Sequence, residues 1–415
     1  MWIIIAILLI LDIYIFQVVK VLTAGSSPKV RLTVFILYWL ISLLSIGVLL
    51  ALPYINFDAL PKGFRTYLFA IIISLFFSKL LASIFFAIDD LRRGSMWVVS
   101  KLFSNPSVEI KTSGDGITRS TFLSWLGMAV GGTFLGTMFY GFTNKYNYNI
   151  RRVALAFNNL PASFKGLRIV HISDIHAGSF LDKAAVQSGV DKILAEKPDL
   201  IFFTGDLVND HAKEMDGYIE IFKKLSAPMG VYSTLGNHDY GEYALPAGLS
   251  QSERVEMVAE NVKKLRAVHK ELGWRLLMNE NVPIEKDGEY ISLIGVENWS
   301  MKGNFPKYGK LEQAYAGTDA SPFKILLSHD PSHWDGEVKK SFRDIDLMLS
   351  GHTHGMQFGV EIPGFKWSPV QYMYRQWAGL YEDAGQKLYI NRGFGFIGYP
   401  GRVGILPEIT VLEFS

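Results

Sequence analysis

The sequence predicts an N-terminal α-helical membrane bundle followed by one α/β domain. The first 142 of the 415 residues contain four apolar stretches long enough to cross a hydrocarbon core. The remainder contains short β-rich runs, and five of them end in Asp, Asn or His residues, as strands do where α/β proteins build sites. We therefore expect residues 1–142 to form a four-helix transmembrane region and residues 143–415 to form the second domain.

Each apolar stretch has about the 18 to 22 residues of a membrane span. The stretches run from Trp2 to about Val19, Thr33 to about Leu52, Tyr67 to about Ile88 and Thr121 to about Phe142. The last stretch contains four glycines, which would allow close packing on a neighbouring helix. The alternative for this stretch is a buried helix that does not span the membrane. Asp12 and Lys79 lie inside two of the stretches, where we expect a structural ion pair; a functional conduit is the other interpretation.

Basic residues in the short loops predict the orientation of the bundle. The first and third loops contain eight Lys or Arg residues, and the second contains two. Because cytoplasmic loops carry the excess of basic residues, we expect loops one and three inside. Four spans then place the N-terminus and the second domain on the outer face of a bacterial-type cytoplasmic membrane.

Composition excludes several classes of function. A net charge of +2 argues against a nucleic-acid binder, and the absence of cysteine excludes disulfides and thiol chemistry. No obligate protein partner is inferred, so the bilayer and a substrate are the expected partners. Residues 104–116 form a polar linker by their Ser, Gly and Pro content, and residues 250–272 predict an exposed amphipathic helix.

Five polar motifs follow the β-rich runs of the second domain. They are Asp174-Ile-His176, Gly205-Asp206, Gly236-Asn237-His238-Asp239, Ser328-His329 and Gly351-His352-Thr353-His354. A single motif of this kind is usually a turn, but five of them at the ends of predicted strands are not expected by chance. A pair of divalent cations needs about eight ligating atoms with one carboxylate oxygen shared, and this set offers imidazole, carboxylate and amide donors. The sequence therefore predicts a two-metal phosphoesterase site.

The donor types also bear on the ions and on the chemistry. Oxygen and nitrogen ligands without thiolate favour Mn, Fe or Zn ions in a catalytic site over a structural zinc. Such a pair makes hydroxide from a bridging water near neutral pH, and a neighbouring imidazole such as His238 can protonate the leaving group.

The motifs resemble those of the calcineurin-like metallophosphoesterases, from about Arg168 to the C-terminus, and most closely those of membrane-associated bacterial members. The resemblance implies an αββα sandwich of mixed sheets and a catalytic role for His238. It also implies one ion held by Asp174, His176, Asp206 and His354, and a second held by Asp206, Asn237, His329 and His352, with Asp206 bridging.

Two positions depart from that pattern. Protein Ser/Thr phosphatases of the superfamily continue their second motif to Arg-Gly, whereas residues 205–211 here lack that pair. Asn209 stands where the usual carboxylate partner of the catalytic histidine is expected. His238 is therefore expected either to lack this support or to take it from Asp239 or Asp210.

The aromatic segment from Phe365 to Tyr381 gives the only indication of substrate. Its rings suit an amphiphilic ligand or a membrane interface, with a packed cap over the sheet as the alternative. The candidate substrate contacts are Trp367, Trp377, Arg375 and Arg392, with Arg402 as a further candidate for phosphate.

Together these observations predict a membrane-anchored, metal-dependent phosphoesterase. Its substrate would be a phosphodiester, phosphomonoester or pyrophosphate, with lipid-linked esters among the candidates. The alternative is a catalytically silent membrane sensor or binding module on the same fold. A transporter is disfavoured because the spans contain so few charges.

Overall fold

A computed structural model describes residues 2–103, 119–303 and 305–415. The chain divides into two compact units, Met1–Tyr140 and Gly141–Ser415. The predicted polar linker at residues 104–116 lies outside the described residues.

The first unit consists of long apolar helices. They are α1 (Trp2–Leu22), α2 (Pro28–Ala51), α3 (Lys62–Phe103) and α4 (Arg119–Gly141). All four are long and apolar enough to cross a membrane. The predicted third stretch ended near Ile88, yet α3 continues for about four more turns. Its extension is stabilised by ion pairs one turn apart, from Asp89 to Arg92 at 2.9 Å and to Arg93 at 3.2 Å.

The expected intramembrane pair is confirmed. Lys79 Nζ lies 2.5 Å from Asp12 Oδ1, and Ser42 Oγ donates to the same oxygen at 2.9 Å.

The glycines of α4 divide into two groups. A Cβ at Gly127 or Gly131 would lie within 3 Å of α3, so these two allow close packing, whereas Gly132 and Gly136 face open space.

The second unit contains two six-stranded sheets and a two-stranded hairpin. The strands are β1 (Asn149–Leu155), β2 (Arg168–Ile172), β3 (Leu200–Thr204), β4 (Val231–Thr234), β5 (Arg275–Leu276), β6 (Glu280–Lys286), β7 (Glu289–Gly295), β8 (Lys324–Leu327), β9 (Leu347–Ser350), β10 (Val360–Ile362), β11 (Phe365–Trp367), β12 (Gly379–Asp383), β13 (Gln386–Ile390) and β14 (Glu408–Phe414). The helices are α5 (Lys183–Ala195), α6 (Ile219–Phe222), α7 (Gln251–Leu272), α8 (Leu311–Tyr315) and α9 (Lys339–Ser341).

Alternation along the strands builds four layers. In β3, Leu200 and Phe202 pack into the core between the two sheets, while Ile201 and Phe203 pack against helices α5, α6 and α7. On the second sheet, Leu326 points away from the inner core and packs with α8. The predicted αββα sandwich is therefore confirmed, and so is the amphipathic helix α7, which begins with a capping box between Ser250 and Glu253.

Strand order brings the five motifs together. The first sheet has the order β1-β14-β2-β3-β4-β5 and the second β12-β13-β9-β8-β7-β6. Strands β2, β3 and β4 are parallel, as are β8 and β9. All five motifs follow the carboxyl ends of these strands, where open α/β sheets place their sites.

Candidate metal centre

The backbone is strained within the first, second and fifth motifs. Asp174, His176, Asp206, His352 and His354 all have left-handed φ angles, between 49° and 71°. This conformation costs a residue other than glycine about 1–3 kcal/mol and persists only where the surroundings impose it, most often at functional sites. Five strained residues, at the carboxyl ends of strands in both sheets, therefore mark this region as the candidate site.

Two glycines make room for the carboxylates. A Cβ at Gly236 would lie 2.2 Å from Asp206 Oδ1, and a Cβ at Gly351 would lie 2.2 Å from Asp174 Oδ2. Non-bonded carbon and oxygen atoms cannot approach each other this closely. Any side chain at either glycine would therefore displace the neighbouring carboxylate. The glycines of the third and fifth motifs therefore have a packing reason.

Asp174, His176 and His354 form the first group of candidate ligands. The Nε2 atoms of His176 and His354 are 3.0 Å apart, and Asp174 Oδ1 lies 3.2 Å from His354 Nε2. Two donors about 2.1 Å from one ion are separated by roughly 3.0 to 3.4 Å in octahedral or tetrahedral coordination. These donors therefore have the spacing that a single divalent cation requires.

The second group consists of Asp206, Asn237, His329 and His352. His352 Nδ1 lies 2.7 Å from Asn237 Oδ1 and 3.3 Å from His329 Nε2. His329 Nε2 is 3.1 Å from Asp206 Oδ2. Carboxylate, amide and imidazole donors again converge with ligand spacing, so this group also fits a divalent cation.

Asp206 lies between the two groups. Its Oδ2 atom is 3.1 Å from His329 Nε2 in one group and 3.5 Å from His176 Nε2 in the other. The other oxygen, Oδ1, accepts a hydrogen bond from the backbone N–H of His238 at 2.8 Å. Oδ2 therefore faces both groups of candidate ligands, while Oδ1 fixes the orientation of the carboxylate.

Backbone hydrogen bonds orient the ligands. His329 Nδ1 lies 2.6 Å from the carbonyl oxygen of Thr204, so Nδ1–H donates there and Nε2 is left for the site. The carboxylate of Asp239 accepts from the backbone N–H groups of Asp206 and Gly236, at 2.9 and 2.8 Å. Asp239 thus holds the second and third motifs together.

A tyrosine and a carboxylate orient the His352 ring through its Nε2 atom. Tyr374 Oη lies 2.8 Å from His352 Nε2 and donates to Asp330 Oδ2 at 3.2 Å. Since Nδ1 of His352 faces Asn237 and His329, the chain of contacts fixes Nε2 as the outward nitrogen. Tyr374 and Asp330 were not predicted as site residues.

His238 does not take its support from a carboxylate. Its Nδ1 lies 2.7 Å from the backbone carbonyl oxygen of Asn209, and its ring packs edge-on against His176 with centroids 5.0 Å apart. The side chain of Asn209 contacts Ser179 instead. The expected alternatives, Asp239 or Asp210, are therefore replaced by a main-chain acceptor.

Charges within the cluster balance one another. Burial opposes ionisation of Asp206, but the imidazoles of His329 and His238 outweigh it and hold the pKa of this carboxyl well below its usual value. Burial likewise disfavours a charged His329, yet Asp206 raises the pKa of this imidazole to about 10. Burial keeps the pKa of His176 well below its usual value, so this ring is neutral and ready to coordinate.

Two arginines predicted to contact phosphate have other partners. Arg392 is buried, and its guanidinium pairs with Glu361 at 2.7 Å and Glu408 at 2.5 Å. Arg402 is fully buried and donates to the carbonyl oxygens of Arg392 at 2.7 Å and His354 at 3.2 Å. Both guanidinium groups are therefore engaged with partners inside the protein.

The aromatic segment from Phe365 to Tyr381 is buried at some positions and exposed at others. Trp377 is only 3% exposed and packs with Tyr374 and Ile405, which leaves little of its ring accessible to a substrate. Trp367 is half-buried at the end of β11. Arg375 is exposed, and its charge acts on Asp383 at the end of β12.

One more tyrosine borders the site without having been predicted. Asn237 Nδ2 donates to Tyr243 Oη at 3.0 Å, which turns Oδ1 of the amide toward His352, and the Tyr243 ring lies 4.7 Å from that of His238. Tyr243 follows Asn237 by six residues. The proximity in sequence is a signal that could have identified it, whereas Tyr374 is 22 residues from His352.

Two parts of the chain match known families. Residues 1–145 match the family described as "Probable Calcineurin-like phosphoesterase, transmembrane domain". Residues 167–356 match the family described as "Calcineurin-like phosphoesterase". The two matches fall on the helical unit and on the unit that contains the motifs.

The chain is also similar to three proteins that are named as metallophosphoesterases or as a phosphodiesterase. "Uncharacterized metallophosphoesterase YkuE" of Bacillus subtilis is 31% identical over 264 residues, covering 62% of this chain and 82% of that protein. Phosphodiesterase YaeI of Escherichia coli is 27% identical, covering 64% and 87%. "Transmembrane protein with metallophosphoesterase domain" of Danio rerio is 28% identical, covering 62% of this chain and 55% of that protein, so the match spans about half the length of the fish relative.

Proposed function

The chain belongs to the calcineurin-like metallophosphoesterases, and from this membership we propose that it is a membrane-anchored hydrolase of phosphate esters that works with two divalent cations. The observation that supports the proposal best is the position of Asp206 Oδ2, within 3.5 Å of an imidazole nitrogen from each ligand group. A shared carboxylate oxygen is what a binuclear site requires.

The proposed ligands divide between the two ions as the resemblance implies. Asp174, His176 and His354 would hold one ion, Asn237, His329 and His352 the other, and Asp206 would belong to both. When bound, two divalent cations supply a hydroxide near neutral pH and neutralise the phosphoryl oxygens. Mn, Fe and Zn ions all suit these oxygen and nitrogen donors.

His238 is the proposed proton donor. Because its Nδ1–H is held by the carbonyl oxygen of Asn209 at 2.7 Å, Nε2 is the nitrogen left to exchange a proton. In its protonated form, Nε2–H would give a proton to the leaving alkoxide oxygen as the P–O bond breaks. General acid catalysis of this kind contributes about 10² to 10⁴ in rate.

A phosphodiester is the substrate class that we propose first. The Escherichia coli relative is named a phosphodiesterase. Phosphomonoesters and pyrophosphates remain the alternatives to be tested. An amphiphilic, lipid-linked ester is proposed because the unit that contains the motifs begins at Gly141, the last residue of α4. The loop charges support the outer face of a bacterial cytoplasmic membrane.

The silent-sensor alternative has less support. Loss of ligands would be expected in a protein that kept only the fold, whereas all seven ligand positions hold coordinating side chains. Their donor atoms also converge within the two groups. Retention of both the residue types and their spacing favours an active enzyme.

Purified full-length protein in detergent provides the test. After chelation, Mn²⁺, Fe²⁺ or Zn²⁺ would be added back and hydrolysis followed with bis-aryl and mono-aryl phosphates, then with lipid phosphates in mixed micelles. We expect metal-dependent turnover, fastest with a diester, and none with Asp206→Asn. Binding of two ions without turnover of any of these esters would favour the sensor.

A further inference from the structure

The hairpin formed by β10 and β11 exposes an apolar face. Val360 pairs with Trp367, and Ile362 with Phe365, so these four side chains share one side of the ribbon. Ile362 is 58% exposed and Phe365 is 54% exposed. Isolated apolar residues are common on surfaces, but adjacent large ones on a two-stranded ribbon indicate an interaction site.

The opposite face of the same hairpin is tied to the protein. Glu361 accepts from Arg151 and Arg392, both at 2.7 Å. Lys366 Nζ donates to the carbonyl oxygen of Ala378 at 2.6 Å. Its charged residues thus hold the ribbon in place, and the outward face is left with the hydrophobic ones.

The hairpin lies beside the point where the chain enters the second unit. Gly141, the last residue of α4, accepts a backbone hydrogen bond from Arg402 at 2.9 Å. A Cβ at Gly141 would lie 2.6 Å from the side chain of Val403. Val403 in turn accepts from the backbone N–H of Gly359 at 2.9 Å, and β10 begins at the next residue. The exposed ribbon therefore lies close to Gly141, the first residue of the second unit.

We propose that the β10–β11 hairpin dips into the lipid headgroup region of the membrane that α4 spans. A bilayer suits this face because α4 ends within two contacts of β10, and because Tyr372, 78% exposed, hydrogen-bonds with Trp367 beside it. Tyrosine and tryptophan favour the interface between hydrocarbon and water. A protein partner would need no such proximity to the helix end.

This contact would also bring the metal centre to the lipid surface. Ser368, directly after β11, donates from Oγ to the carbonyl oxygen of Gly355 at 2.8 Å, and Gly355 follows the ligand His354. The hairpin and the candidate site are thus joined by one hydrogen bond. The inference rests on the membrane anchor of the proposed function and is independent of hydrolysis.

Site-specific fluorescence quenching tests the proposal. The chain contains no cysteine, so Ile362→Cys in the full-length protein can be labelled selectively with an environment-sensitive fluorophore. Val255→Cys is the matched control, because Val255 is also apolar and 58% exposed but lies on α7. Both proteins would be placed in lipid nanodiscs and titrated with a water-soluble quencher or with lipids that carry a nitroxide near the headgroup.

We expect lipid-borne nitroxide to quench the probe at 362 at least about threefold more strongly than the probe at 255, with the reverse order for the aqueous quencher. A probe at Phe365→Cys should be quenched in the same way as the probe at 362. Agreement between the two sites would show that the result does not come from a local defect caused by one substitution. Equal quenching by the aqueous reagent at 362 and 255 would overturn the proposal. Protection of 362 from both quenchers would overturn it too, because a protein surface would then cover the hairpin.

Discussion

The imidazole of His238 donates from Nδ1 to the main-chain carbonyl oxygen of Asn209, 2.7 Å away. A backbone acceptor fixes the tautomer as a carboxylate would, but without adding a negative charge beside the ring. With Asn209 at this position, the proposed proton donor His238 keeps a fixed orientation and has no negative charge beside it from residue 209.

Substitution of these two residues should separate their roles. We expect His238→Ala to lower kcat by about 10² to 10⁴ while both ions are retained, because the ring is no ligand in the proposed site. Asn209→Ala should change kcat by less than about tenfold, because the acceptor is the backbone. Steady-state kinetics with metal analysis would check both. A kcat loss in Asn209→Ala as large as that in His238→Ala would assign the support to the amide side chain.

Asp206→Asn should lose both ions, since it removes the charge of the one shared carboxylate. The measurement is metal content of the purified protein by mass spectrometry. Asp210→Asn is the control, being four residues further along the same loop and outside both ligand groups, and it should keep two ions. Two ions retained in Asp206→Asn would contradict the bridging assignment.

Tyr374→Phe should weaken one ion selectively. The change removes the hydroxyl that joins His352 Nε2 to Asp330, and loss of such a support typically costs 10- to 100-fold in metal affinity. Stepwise Mn²⁺ titration followed by calorimetry would show one weakened step and one unchanged step. Tyr372→Phe, on the exposed neighbour, should leave both steps as they are. Equal weakening of both steps would indicate a general loss of packing.

Acid should destabilise the protein partly through His269. Burial lowers the pKa of this imidazole to about 3, and its Nδ1 lies 3.0 Å from Ser233 Oγ. In the unfolded chain the His269 imidazole takes up a proton near pH 6.5, whereas in the folded chain it stays neutral. The contribution of neutral His269 to the free energy of unfolding is therefore fully present above pH 6.5 and is lost as pH falls toward 3. The slope is at most about 1.4 kcal/mol per pH unit. His269→Gln should show a smaller fall in Tm between pH 7 and 5 than the parent protein; an equal fall would contradict the prediction.

Loop charges predict the side on which the catalytic unit lies. The excess of eight basic residues over two predicts that the first and third loops lie inside, so the chain should emerge outside after α4. An alkaline phosphatase fusion after Ser415 should be active, and a green fluorescent protein fusion at the same place should be dark. Fluorescence from the second fusion would reverse the orientation and place the substrate in the cytoplasm.

The positions of the candidate ligands at strand ends could be predicted because they depend on local sequence. A β-rich run followed by Gly-Asp or Gly-His specifies a strand and the turn after it, and parallel strands bring such ends together. The partners of Arg392 could not be predicted, because Glu361 is 31 residues away and reaches it through the hairpin. Tyr374 was missed for the same reason.

The extension of α3 was missed for another physical reason. Asp89, Arg92 and Arg93 read as a polar loop because their charges end the apolar stretch. In the structure these charges pair along one helix face, which lets the helix continue beyond the hydrocarbon. Hydropathy locates the span but does not locate the end of the helix.

The position of β14 controls when the catalytic unit can fold during its synthesis. This strand, made of residues 408–414, lies between β1 and β2, and β2 leads into Asp174. Until the ribosome has made those residues, β2 lacks its neighbour on one side, and the pairing spans more than 230 residues, as from His171 to Thr410. Such distant pairing forms slowly and late. A cation site that needs the completed sheet would therefore assemble only after β14 has been made and paired.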